Sequence, residues 1–240
     1  MKVTVLELPA RWNAVDAALA DVDAALAGAR ADLVVLPEAS LTGYVSPQGE
    51  FDLTAAGEPL DGPTAGALAA LATRHRVHLV GPLIEADGAR RYNATLGFAP
   101  DGTRFLHYRK RHPWLPETWA TAGAAPYPVV ELGGLRVTVA VCYDLHFLPE
   151  EAADVLAAAD LLVFPSAWVD RANTRLPLLR GLAARFEIAI ANANWGAGVV
   201  CVPGQGGSCI LDARGRELAT SAPGAGRADA TINPVRLRPA

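Results

Sequence analysis

The chain opens on VTVLEL, an apolar run rich in β-branched residues that predicts a strand. Residues 12–31 then set Val15, Leu19, Val22, Leu26 and Ala29 at steps of three and four, the spacing of an amphipathic helix. ADLVVLPE comes next, a continuous apolar run too short for a helix and stopped by Pro37, which predicts a strand buried on both faces. Two βα units therefore begin the chain. Residues 65–75 read as a second helix and VHLVGPLIEA as a strand, while YNATLGFAP and TRFLHYRK read as the arms of a hairpin turned at Asp101-Gly102. Further on, LRVTVAVCYD is a strand ending at Cys142, residues 150–159 a helix, and DLLVFPSAW a strand ending in a turn. Residues 175–186 should be helical, EIAIANAN a strand, and GGSCILDARGRELA a hairpin turned by residues 213–215. Strands alternate with helices, but hairpins are threaded among them. That pattern favours an α/β layered sandwich with mixed sheets over a simple doubly wound sheet.

Composition narrows this reading. At 240 residues and 51% hydrophobic, the chain can bury a substantial core, and neither a charge block nor a low-complexity block divides it, so residues 1–240 are expected to form one domain. A formal charge of -4, with no basic stripe interleaved with aromatics, gives no electrostatic reason to approach phosphate backbones. Every apolar run is shorter than a membrane span, and MKVTVLELPA has no signal-peptide pattern, so a soluble cytoplasmic protein is expected. Cys142, Cys201 and Cys209 leave one cysteine unpaired in any disulfide scheme and match neither a CxxC pair nor a zinc knuckle. One working thiol in a reducing compartment is consistent with this. Cys201 and Cys209 have strand-like neighbours and read as buried packing residues, a local disulfide between them being the alternative.

Four polar residues stand at predicted strand ends or just beyond, where α/β folds tend to place working groups. Glu38 follows LVVLP, Lys110 ends HYRK, Glu117 lies shortly after it in HPWLPETW, and Cys142 begins CYDLHFLPE. Each alone has a structural explanation: a buried small hydrophobe for the cysteine, a cap or ion pair for Glu38, a solvated basic run for Lys110, a surface charge for Glu117. Together they supply what thiol-mediated amide hydrolysis requires. Cys142 would be the nucleophile, and Glu38, desolvated behind a buried strand, the base that takes its proton and returns it to the leaving amine. Lys110 and the backbone N–H of Tyr143 would stabilise the thiolate and the oxyanion, with Glu117 orienting Lys110, substrate or water.

These residues also carry a family likeness. LVVLPEASLTGY, YRKRHPW, VAVCYDLHFLPE and LLVFPSAW, in this order, resemble the Glu, Lys and Cys signature blocks of the carbon-nitrogen hydrolase (nitrilase) superfamily and the strand after its cysteine block. GGSCILDARGRELA resembles the family's late hairpin. The resemblance implies a four-layer αββα sandwich with two mixed β-sheets, covalent thioester chemistry without metal or organic cofactor, and a homodimer or dimer-based oligomer. It gives Glu38 the role of general base, Lys110 that of transition-state stabiliser and Cys142 that of nucleophile. Glu117 matches the second glutamate of the amidase-like branch, although the stretch from Lys110 to Glu117 is one residue shorter than in that version. The substrate implied is a small amide or N-carbamoyl compound. A small nitrile, or a non-catalytic binding or assembly role for the fold, are the alternatives. The intact four-residue set argues against the last of these, and the Pro-Trp and Pro-Glu steps of the loop favour amides over nitriles.

Pocket-lining loops are expected around Tyr44, Trp114, Trp119, Trp168 and Trp195, with Tyr143 beside the nucleophile. His146 stands where many relatives have Arg, so it either contacts substrate or sits at a helix start on the surface. Trp195 in NANWGAG either lines the acyl pocket, which is the expectation, or packs in the core. The five histidines form no metal-ligand spacing, so no metal site is expected.

Overall fold

A computed structural model describes residues 1–169, 172, 174–222 and 226–234. The β-branched runs become two six-stranded sheets. In the first, β1 (Lys2–Leu6), β2 (Leu33–Val35) and β3 (His78–Asp87) run parallel, and the antiparallel strands β4 (Arg90–Phe98) and β5 (Arg104–Arg109) extend one side. In the second, β7 (Leu135–Val139), β8 (Leu161–Ser166) and β9 (Ala189–Asn194) run parallel. Antiparallel β6 (Val129–Leu132) flanks β7, while β10 (Cys209–Leu211) and β11 (Glu217–Thr220) continue beyond β9. The last strand, β12 (Arg227–Thr231), returns to the first sheet and pairs antiparallel with β1.

Strand alternation explains how the sheets stack. Val3, Val5, Leu33, Val35 and Val80 share one buried cluster with Val137, Val139, Val163 and Ala191 of the second sheet. Their neighbours Leu6, Val34 and Leu79 pack instead with Val22 and Leu26 of α1 (Val15–Leu26) and Leu68 and Leu71 of α2 (Pro63–His75). On the far side, Leu156 of α4 (Ala153–Ala158) and Leu179, Leu182 and Phe186 of α5 (Arg175–Phe186) cover the second sheet. The layers therefore run αββα. Each sheet buries both faces, which is why its central strands read as continuous apolar runs rather than alternating ones. Among the described residues no helix is long and apolar enough to cross a membrane.

Several local expectations are corrected. The helix expected over residues 150–159 starts earlier, as α3 (Leu148–Glu151), and breaks at Ala152 before α4, so the chain bends where one rod was expected. The strand expected to reach Cys142 stops at Val139, because Cys142 takes φ +47 and opens a short 3-10 helix, Cys142–His146. The hairpin at Asp101-Gly102 forms, with Gly102 at φ +83 and its N–H donating to Ala99 O at 2.8 Å. The antiparallel pairing of β3 with β4, and the strands β6 and β12, were not foreseen. All three cysteines are free; Cys209 is buried as expected, whereas Cys201 is exposed.

Candidate active site

Three segments beyond strand ends, after β2, β5 and β7, bring the reactive groups together. Glu38 follows β2 past Pro37, and its neighbour Ala39 adopts φ +47. Lys110 directly follows β5, where Lys110 N–H donates to Asn93 O and Gly123 N–H donates to Lys110 O, both at 2.8 Å. Glu117 sits in the loop after it, its N–H donating to Trp114 O at 2.7 Å. Cys142 stands on the elbow between β7 and the 3-10 helix. Left-handed backbone at a residue with a Cβ costs on the order of 1–3 kcal/mol, and such strain concentrates where a side chain must be aimed. Ala39 and Cys142 both carry it.

The centre is a buried ion cluster. Lys110 Nζ donates to Glu38 Oε1 at 2.7 Å and to Glu117 Oε1 at 2.6 Å, with all three side chains out of solvent. Asn93 of β4 donates from Nδ2 to Glu38 Oε1 at 2.8 Å and, at longer range, to Glu117 Oε2 at 3.4 Å. The Tyr44 hydroxyl donates to Glu117 Oε1 at 2.6 Å, and the Ala167 N–H donates to Glu38 Oε2 at 2.9 Å. Removing charges from water costs several kcal/mol per ion even after relaxation, and apolar packing is often the more stable alternative. A cluster of this kind is therefore hard to explain by stability alone.

Proton affinities follow from the burial. Desolvation pushes the Cys142 thiol well above its ordinary range, and the charge of Glu38 adds to this while Lys110 opposes it. The Ala167 N–H, which donates to Glu38, works slightly the other way and lowers the thiol. Burial by itself would lower the Lys110 ammonium, but Glu38 and Glu117 more than offset it and hold it above its ordinary value. Burial raises Glu117, helped by Glu38 and opposed by Lys110 and Tyr44. At neutral pH the cysteine is thus a thiol beside a firmly protonated amine.

A cavity of about 250 Å3 opens over Cys142, and of the expected substrate contacts Tyr44, Tyr143, His146 and Trp168 line it. His146 faces the rings of Tyr143 and Trp168, with centroids 5.1 and 5.5 Å away, while remaining exposed to solvent at the end of the 3-10 helix, so it combines the two positions expected for it. Trp195 does not reach this cavity. It packs against Tyr44, donates from Nε1 to Trp168 O at 3.2 Å, and lines a neighbouring cavity. Trp114 is on the Cys142 cavity, whereas Trp119 is not among its lining residues.

Sequence reasoning passed over three supports. Asn93 bridges both glutamates; its signal was a polar residue inside the apolar run of YNATLGF. Asp144 is fully buried and latches the elbow: Oδ2 accepts Val141 N–H at 2.9 Å and Tyr108 OH at 2.7 Å, and Oδ1 accepts His112 N–H at 2.9 Å. Asn194 Oδ1 accepts from Trp168 N–H at 2.8 Å and from the Ser166 hydroxyl at 3.0 Å, holding the loop after β8 in place over the thiol. Among the described residues, no group of three or more His, Cys, Asp or Glu is arranged to hold a metal ion.

The sequence model of one family, described as carbon-nitrogen hydrolase, matches residues 2–240. A hydrolase in the pqqF 5' region of Pseudomonas protegens is 37% identical over 145 residues, which cover 57% of this chain and 48% of that protein. The match thus spans about half of that relative. An (R)-stereoselective amidase from a Pseudomonas species is 28% identical over 189 residues, covering 78% of this chain and 68% of that protein. Among solved structures, a variant of the amidase from Nesterenkonia sp. AN1 in complex with butyramide superposes with a TM-score of 0.85 at 25% identity, covering 98% of this chain and 91% of that one.

Proposed function

The chain belongs to the carbon-nitrogen hydrolase family, and on that premise we propose that it hydrolyses a small amide or N-carbamoyl compound through a thioester on Cys142. The observation that carries this reading is the convergence of Glu38, Lys110 and Glu117 in one buried cluster beside the Cys142 thiol. Relatives named as amidases, one of them bound to butyramide, point to the same substrate class.

In this reading Cys142 passes its proton to Glu38 as its sulfur bonds the carbonyl carbon, because a thiol held neutral by burial needs a base at the moment of attack. An ammonium has three N–H donors and Lys110 commits two of them to Glu38 and Glu117, so the third serves the oxyanion together with the Tyr143 N–H. Glu38 then protonates the leaving nitrogen as the C–N bond breaks, and ammonia or an amine departs. Water attacks the thioester, gives a proton to Glu38, and the carboxylic acid leaves as that proton returns to the thiolate. Glu117 and Tyr44 keep Lys110 aimed. A dimer belongs to the same proposal, and sedimentation velocity tests it.

The test is a panel of small amides, N-carbamoyl amines and nitriles assayed for ammonia release, with the acyl-enzyme trapped and weighed intact. Amide or carbamoyl turnover with a covalent adduct on Cys142 is expected, and Cys142→Ala should lose at least about a thousandfold in rate while folding normally. Activity should also survive a strong chelator. Turnover confined to nitriles, wild-type rates in Cys142→Ala, or chelator loss restored by zinc would each overturn the reading.

A further inference from the structure

A second cavity, of about 430 Å3, lies beside the one at Cys142, and Tyr44 and Val169 line both. Its remaining wall is mostly apolar: Val45 and Trp195 on the buried side, Phe51 from the loop after Tyr44, and Val200 and Val202 from the loop after β9. Ser46 is the hydroxyl in that wall, and its Oγ already accepts the N–H groups of Gln48 at 3.2 Å and Glu50 at 3.0 Å. The partition between the two spaces is the Tyr44 ring, fixed at its hydroxyl by Glu117 and packed edge-on against Phe51 and Trp195 at 5.8 and 6.0 Å. Val199 and Cys201 are exposed at the rim, so the second cavity has its own opening to solvent.

We propose that this second cavity is an acyl subsite and that the preferred substrates are amides whose acyl group carries an apolar extension of several carbons. The proposal rests on the reading of Cys142 as nucleophile. The acyl group is the part of the substrate that stays on the sulfur through both half-reactions, whereas the leaving amine must depart to admit water. A side chamber that shares Tyr44 and Val169 with the cavity over Cys142, away from the mouth over that cysteine, suits the part that stays. The walls offer an alkyl or aryl group apolar contact and leave no charged side chain to desolvate.

The test is a series of straight-chain primary amides from acetamide to octanamide, run against N-alkyl acetamides of equal carbon number. Burying each added methylene should raise kcat/KM roughly threefold to fourfold once the chain passes Tyr44. Val200→Phe, which adds bulk to the chamber wall, should lower the octanamide-to-acetamide ratio of kcat/KM at least about tenfold. Calorimetric binding of octanamide to Cys142→Ala, with and without Val200→Phe, reads the same subsite without turnover, so a failure of hydrolysis and a failure of the subsite come apart. A flat acyl series, a gain confined to the amine side, or octanamide affinity indifferent to Val200→Phe would overturn the proposal.

Discussion

Glu117 and Asn93 show how a single residue sets the chemistry of its neighbours. Glu117 adds negative charge that helps hold the Cys142 thiol above its ordinary range, behind the larger effects of burial and of Glu38. Glu117→Gln removes that charge, so the pH at which a small electrophile alkylates Cys142 should move down, while amide turnover falls about a hundredfold as Lys110 loses its second anchor. Alkylation rate against pH, measured beside steady-state hydrolysis, checks this; an upward shift, or full activity, would remove Glu117 from the machinery. Asn93→Ala leaves Glu38 with one donor fewer in a dry site, which should cost roughly 1–3 kcal/mol of stability by chemical denaturation. It should also lower kcat more than it raises KM, since Asn93 is not among the residues lining the substrate cavity.

At the scale of elements, the site depends on how two loops are pinned to strand ends. A Cβ on Gly123 would stand 2.1 Å from Arg109 O, at the step into Lys110, and backbone cannot yield there as a flexible side chain would. Gly123→Ala should therefore push the end of β5 and misplace the Lys110 ammonium, costing roughly 1–3 kcal/mol of stability and at least about tenfold in activity. Asp144 has the complementary role, joining the elbow at Val141 to His112 of the loop that carries Glu117. Asp144→Ala strands three donors, two of them buried, and a stability loss of about 3 kcal/mol or more with near-complete loss of turnover is expected. Thermal unfolding compared with activity on the same samples distinguishes misplacement from unfolding.

For the whole molecule, Glu85 is a buried contributor to acid stability. Glu85 of β3 reaches across β4 to His107 at 2.8 Å and to Arg109 Nε at 2.9 Å on β5. Burial alone would raise its carboxyl, but these two partners bring it down from 4.5 to about 2. A carboxylate held low in the fold contributes stability that is present above its ordinary value and lost as pH falls through the folded one. Stability should thus decline between pH 4.5 and about 2, and Glu85→Gln should flatten the decline in that window. Urea midpoints measured across this range check it; equal slopes in both proteins would refute it. Closure of the first sheet is a second global feature, since β12 covers the outer edge of β1 with Lys2 paired to Thr231 and Leu6 to Arg227. Deleting residues 227–240 uncovers that edge and should yield an aggregating protein, read by light scattering.

Periodicity by itself settled the central strands and the long helices, because a run such as LVVL buried on both faces has few other solutions. It also put Glu38, Lys110 and Cys142 at the ends of predicted strands, whereas Glu117 was marked by the resemblance of its loop to the amidase-like branch. β6 and β12 went unread for different reasons: RADAT is a short, half-exposed edge strand whose partner, β1, lies at the other end of the chain, whereas VVEL pairs with β7 across the Gly133-Gly134 turn and is too short and too exposed to show a clear apolar alternation. The supports of the site were hidden likewise. Asn93, Asp144 and the Ala167 N–H act through hydrogen bonds to residues 55, 32 and 129 positions away, and no local spacing encodes such contacts. Whether Trp195 touches the cavity over Cys142 or the chamber behind Tyr44 was equally beyond the sequence. Strand order and sheet stacking decide that, and they arise only when both sheets have closed on their common core.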